Sequence, residues 1–123
     1  MKKIPNTTIG EKSTMFEQGD IVLIPFPFTD LTSSKTRPTV VLSTKVYQKI
    51  TESVIVAMIT SVPHSTIFDY EIKEWESANL IKSSWVRIKI ASLSPAMVRY
   101  KVGKLSSTDC IELQKRAKMA FDF

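Results

Sequence analysis

The apolar residues of this chain come in short, β-branched runs closed off by proline, glycine or polar clusters, and the longest, Val54 to Ile59, is six residues. A membrane-spanning helix needs about 20 such residues, and a surface helix repeats them every third or fourth position, so runs of this kind suit buried strands. Gly19-Asp20 opens the first of them, Ile21-Val22-Leu23-Ile24. Pro25-Phe26-Pro27-Phe28 ends it, because two prolines remove two backbone donors and force a bend, while Phe26 and Phe28 are spaced to cover the core. Thr29 to Thr36 has the composition of an exposed polar loop. Arg37-Pro38 then leads into Thr39-Val40-Val41-Leu42-Ser43, and Val54 to Thr60 forms a second core strand, with a short helical turn expected within Thr44 to Glu52. Ile67 to Ile72 is expected as a further strand and Glu74 to Asn79 as a helical turn.

Two later segments alternate instead. Val86, Ile88 and Ile90 set against Arg87 and Lys89, and Val98, Tyr100 and Val102 set against Arg99 and Lys101, predict half-buried strands with the apolar members inward. Gly103 marks a bulge or a close approach of another backbone. Only the end of the chain has firm helical spacing. Ser106 followed by Asp109 gives a cap, and Cys110, Leu113, Ala117 and Ala120 then fall on one face, with Glu112, Lys115, Arg116 and Lys118 on the other. Several short strands and one terminal helix predict a mainly β fold, a strongly bent sheet or partly open barrel with short helical additions. A doubly wound α/β fold is excluded, since it requires helices between the strands and the chain has no Gly-rich phosphate loop. With 123 residues there is room for one domain, expected over residues 18–123 with residues 1–17 as an N-terminal extension.

Lys and Arg number 17 against 12 Asp and Glu, a net charge of +5, which favours an anionic partner. The excess lies in the second half, where Lys82, Arg87, Lys89, Arg99, Lys101 and Lys104 follow one another with no acidic residue between. Such a stretch is either a phosphate-binding footprint or a solvated strand face that discourages edge pairing. Metal and thiol chemistry have little to work with. One Cys and one His supply no zinc ligand set, so no metal and no cofactor is expected. His64 is expected in an exposed loop and Cys110 against the core. Met1-Lys2-Lys3 runs into Pro5, Asn6 and Thr7 with no apolar segment, and with a single cysteine this predicts a cytoplasmic protein with no membrane partner.

Arg37 is the most informative charged residue. Pro38 confines it to extended backbone, so a guanidinium is pre-set where the polar loop becomes a core strand, a fixed fork of donors suited to a phosphodiester. The run from Gly19 to Phe28, the polar loop, and Arg37-Pro38-Thr39-Val40-Val41-Leu42-Ser43 resemble the opening of the MazF/PemK ribonuclease toxins. Ala57-Met58-Ile59-Thr60-Ser61, Ala78 to Arg87, Val98 to Ser106 and the terminal helix resemble that family's later segments, so the resemblance covers residues 18–121. It implies an SH3-like β-barrel of the MazF/PemK/CcdB type, a homodimer whose groove takes single-stranded RNA, and an antitoxin partner. It also implies metal-independent cleavage by the ribose 2′-hydroxyl, with Arg37 and Thr60 as the catalytic pair and Lys35, Thr36, Ser61 and Phe28 as substrate-binding residues. One departure stands out: Thr29 to Thr36 contains no glycine, and Asp30 is its only acidic residue. Two alternatives accompany the nuclease: a noncatalytic toxin on the same fold gripping a protein such as gyrase, and a degenerate member that binds RNA without turnover.

Overall fold

The computed structural model describes residues 15–25 and 36–122; Phe28 and the polar loop up to and including Lys35 lie outside the described residues. Six strands form one sheet: β1 (Asp20–Ile24), β2 (Arg37–Val41), β3 (Val54–Thr60), β4 (Tyr70–Glu71), β5 (Trp85–Leu93) and β6 (Tyr100–Lys104). Their order is β4-β5-β3-β2-β1-β6, every neighbouring pair is antiparallel, and no pairing joins β4 to β6 among the described residues. Two irregularities curl it into a half-barrel. The register slips between Ile21 and Val22 opposite β6, and between Ala57 and Met58 opposite β5. Each slip sharpens the local twist and bends the strand that carries the extra residues.

The β-branched runs form the central strands because both faces of the sheet are covered. Ile21, Val40, Ala57, Ile59 and Val86 build one core with Tyr70, Ala78 and Leu113, while Val22, Ile24, Val41, Val54, Val56 and Met58 build a second on the opposite face. The first is roofed by the turns around Trp75 to Leu80 and by helix α2 (Ser107–Ala120); Phe16, Leu93 and Val98 close the second. Helix α1 (Lys45–Thr51) joins β2 to β3, capped by Thr44, whose hydroxyl accepts from the Tyr47 N–H. Its buried Gln48 bonds both the N–H and the carbonyl of Phe16, which fixes the chain entering the domain.

Several expectations need correction. Ile67 to Ile72 contributes only the two residues of β4, because Asp69 turns the chain back by accepting from the N–H and hydroxyl of Thr66, leaving Ile67 and Phe68 exposed. β5 runs on to Leu93, beyond the expected Ile90; Val86, Ile88 and Ile90 share the first core as the alternation predicted, and Ala91 and Leu93 meet the second from the other face. Tyr100 does not point inward with Val98 and Val102; it is exposed, since Val98 lies in the second core and Val102 sits beside the β1–β6 slip. In α2, Ala120 is exposed, and Arg116 is half-buried with its guanidinium 4.9 Å from the Tyr70 ring centre, where sequence spacing placed it outward.

Gly103 answers to its expected role. A Cβ there would lie 2.3 Å from the Ala78 carbonyl oxygen, so only glycine lets β6 and the 73–80 turns meet. Gly19 is constrained too, at φ +91° with Cys110 Sγ 2.6 Å from where a Cβ would stand.

Candidate active site

Arg37 begins β2 and Thr60 ends β3. The two strands pair Thr39 with Met58 and Val40 with Ala57, and two further steps of that register bring positions 37 and 60 opposite each other at the same end of the sheet. On its other side β2 pairs Arg37 with Ile24 and Pro38 with Leu23, whose partner in β6 is Tyr100. Residues scattered from one end of the chain to the other therefore meet at one corner of the half-barrel.

A cavity of about 570 Å³ opens at that corner. Arg37, Thr60 and Ser61 line it, with Leu23, Tyr100 and Val102 from β1 and β6, and with Val62 and the segment Asn79 to Lys82 as the facing wall. The Thr60 hydroxyl accepts from the Val62 N–H at 3.1 Å, which orients its oxygen and leaves its own proton available to a ligand. Arg37 and Thr60 are both half-buried, and Ser61 is exposed. Thr36 is exposed beside Arg37 and does not line the cavity.

The facing wall is held from two directions. Asn79 takes the left-handed conformation, φ +69°, which asparagine tolerates better than most residues, and its side-chain amide donates to the Val102 carbonyl at 2.8 Å. Below it, the Asp109 carboxylate at the start of α2 accepts from the backbone N–H groups of Lys73 and Glu74, both at 3.0 Å, and from the Tyr70 and Ser106 hydroxyls. Burial alone would push the Asp109 carboxyl up, but the bonds from Tyr70, Glu74, Lys73 and Ser106 outweigh it and hold the group below the usual carboxylate range. Burial first, and then the hydrogen bond to Asp109 and its charge, push the Tyr70 hydroxyl well above its ordinary value.

The basic stretch proves to be half neutralised. Arg87 pairs with Asp69 at 3.1 Å, Lys101 with buried Asp20 at 3.4 Å, and Lys104 with Glu17, whereas no ion pair of Lys82, Lys89 or Arg99 occurs among the described residues. Of these three only Lys82 lines the cavity. Burial pushes the Cys110 thiol up, as expected of a core-facing cysteine, and His64 lines a separate polar recess with Arg116 and Trp85. No group of three or more metal-ligating side chains is present among the described residues, and no helix among them is long and apolar enough to cross a membrane.

Sequence reasoning reached Arg37, Thr60 and Ser61, and counted Lys82 within the basic stretch without placing it at this site. Tyr100 was hidden by its alternation with Val98 and Val102, and Asn79 by being read only as the end of a helical turn. Gly103 was the available signal, because the backbone it admits is that of Ala78, the residue before the wall.

No curated protein sequence matches the chain. Among solved structures, a mycobacterial endoribonuclease in complex with its cognate antitoxin superposes with a TM-score of 0.73 at 12% identity, over 86% of this chain and 94% of that one. A MazE–MazF complex from Deinococcus radiodurans gives 0.70 at 17% identity, over 89% and 97%, and the toxin MazF-mt6 of Mycobacterium tuberculosis gives 0.69 at 19%, over 85% and 97%. These likenesses establish the curled-sheet fold. Residues 17–121 match the PemK-like, MazF-like toxins of type II toxin-antitoxin systems, nearly the whole chain, and the protein belongs to that family.

Proposed function

We propose that the protein is a metal-independent, sequence-selective endoribonuclease toxin that cuts single-stranded RNA at the corner cavity. The observation that carries this reading is that Arg37 and Thr60, far apart in the chain, line one cavity large enough for a small ligand, with Lys82 also in its lining. Solved toxins of the same fold that are endoribonucleases, and the antitoxin complexes among them, support it further.

In the proposed reaction the ribose 2′-oxygen attacks the adjacent phosphorus and the bond to the 5′-oxygen breaks, giving a 2′,3′-cyclic phosphate and a 5′-hydroxyl. The 2′ proton passes to water, and the departing oxygen takes one back from solvent. No protein nucleophile is needed. The Arg37 guanidinium meets the negative charge that builds on the phosphoryl oxygens and the leaving oxygen. Thr60, its oxygen fixed by the Val62 N–H, donates its proton to a non-bridging oxygen. Ser61, next to it in the chain, and Thr36, Lys35 and Phe28 are assigned to substrate binding. We further assign residues 18–123 to the toxin domain and residues 1–17 to an extension. The toxin acts as a cytoplasmic homodimer and is neutralised by a cognate antitoxin laid over the basic corner.

The test is cleavage of a long RNA in excess chelator by the wild-type protein and by Arg37→Ala. Cleavage by the first and not the second, with a cyclic phosphate at the new end, supports the proposal. Equal cleavage by both removes Arg37 from it, and loss of cleavage with chelator removes the metal-independent route.

A further inference from the structure

Three large apolar side chains stand in water at the rim of this one cavity. Tyr100 is 61% exposed, Ile81 92% and Val62 59%, although all three line the cavity that holds Arg37 and Thr60. Single exposed apolar residues need no explanation, but several converging on one polar cleft mark a contact surface. Folding does not require Tyr100 there. The sheet closes on Leu23 and Val102, and the Tyr100 ring adds nothing to either core. Cations line the cavity as well, Arg37 and Lys82, the latter next to Ile81 in the chain.

We propose that this rim is a nucleobase platform: one unstacked base of the RNA lies on the Tyr100 ring between Val62 and Ile81, while Lys82 and Arg37 take the phosphates on either side. Exposed aromatic faces interleaved with cations are the arrangement by which single strands are held, since every base offers a π-face and every linkage a charge. A tyrosine serves this purpose at low entropic cost, having two side-chain torsions to fix. The assignment rests on the nuclease reading above, and it makes Tyr100 a substrate-binding residue that holds one base beside the scissile bond. A protein segment covering the same rim is the competing occupant, and it predicts no effect of Tyr100 on RNA.

The experiment has two arms. In the first, steady-state cleavage of an RNA whose cut site has been mapped is compared for the wild type, Tyr100→Ala and Tyr100→Phe. Loss of the ring should raise KM about tenfold with kcat within about twofold, and Tyr100→Phe should restore it. An oligonucleotide with an abasic residue next to the cut should lose about tenfold in affinity for the wild type and nothing further for Tyr100→Ala. An unchanged KM in Tyr100→Ala, or equal abasic penalties in both proteins, overturns the proposal. The second arm measures binding of a fluorescent, 2′-O-methylated single strand of mixed sequence, so that it reads the platform even if the wild type cuts nothing. Weaker binding by Tyr100→Ala in that case rejects the nuclease and keeps the platform. Equal binding, or no binding by either protein, rejects the platform. Melting temperatures of the three proteins should agree, because the side chain is solvated in the free protein.

Discussion

The segment from Lys73 to Lys82 runs between two polar clusters built on opposite rules. At its beginning, Asp109 is fully buried and its carboxylate collects bonds from two backbone N–H groups and two hydroxyls, every one of them supplied by the fold. At its end, the cavity gathers Arg37, Thr60 and Lys82 beside apolar side chains that stand in solvent. In the first cluster polar capacity is used up internally, which rigidifies a wall; in the second it is left for something else to satisfy. A buried group that has found all its partners contributes to stability, and an accessible one with capacity to spare contributes to binding.

The widest split between the two should come from Asp109→Ala. It strips the acceptor from two backbone donors and from Tyr70 inside the protein, and should cost about 3 to 5 kcal/mol of unfolding free energy, read by urea denaturation. Arg37→Ala should behave in the reverse way: about 3 kcal/mol lost from transition-state stabilisation, read as kcat/KM on RNA, with stability within about 0.5 kcal/mol of the wild type. If Arg37→Ala proved as destabilising as Asp109→Ala, the two clusters would not differ in kind.

Gly103→Ala probes the link between them. The added methyl meets the Ala78 carbonyl, a backbone atom that cannot swing aside, so β6 or the wall must shift at about 1 to 3 kcal/mol. Because Asn79 and Val102 both line the cavity, this variant should lose affinity for RNA as well as stability. Retained affinity in a destabilised protein would show that the wall moves without the site. Gly19→Ala is the control: it is strained by a φ of +91° and meets the Cys110 side chain, but lies away from the cavity, and it should lower stability alone.

How much of this was legible in the sequence follows from the range of the interactions. β1, β3 and the capped terminal helix announce themselves locally, through β-branched runs and the Ser106 to Asp109 spacing, and they appear where expected. Arg37 was legible because Pro38 fixes it from the next position. The Asp109 cluster was not: its spacing marked a helix cap, which it is, but nothing local shows the same carboxylate holding Lys73 and Glu74 across the chain. Tyr100 misled for a related reason. Alternation tells which side chains share a face only while the register is regular, and the slip between Ile21 and Val22 falls beside it. The basic stretch was countable, but Glu17, Asp20 and Asp69, which pair with half of it, come from elsewhere in the sequence.

The mildest test of the contrast is acid. The Asp109 carboxyl is held below the unfolded value of about 3.9, so its contribution is complete above that pH and is lost as the pH falls through the folded value. Unfolding free energy should therefore decline below about pH 4. Exposed pairs contribute in the same direction, since Lys104 and Lys115 hold Glu17 and Glu112 below their ordinary range. Salt separates the two sources. In about 1 M salt the screening length falls to about 3 Å and the surface pairs fade, whereas Asp109 is held by neutral donors out of water and keeps its effect. Tyr70→Phe removes one of those donors, which moves the Asp109 carboxyl back toward its ordinary value. The salt-resistant part of the acid slope should then shrink, and an unchanged slope would mean that the buried cluster is not what titrates.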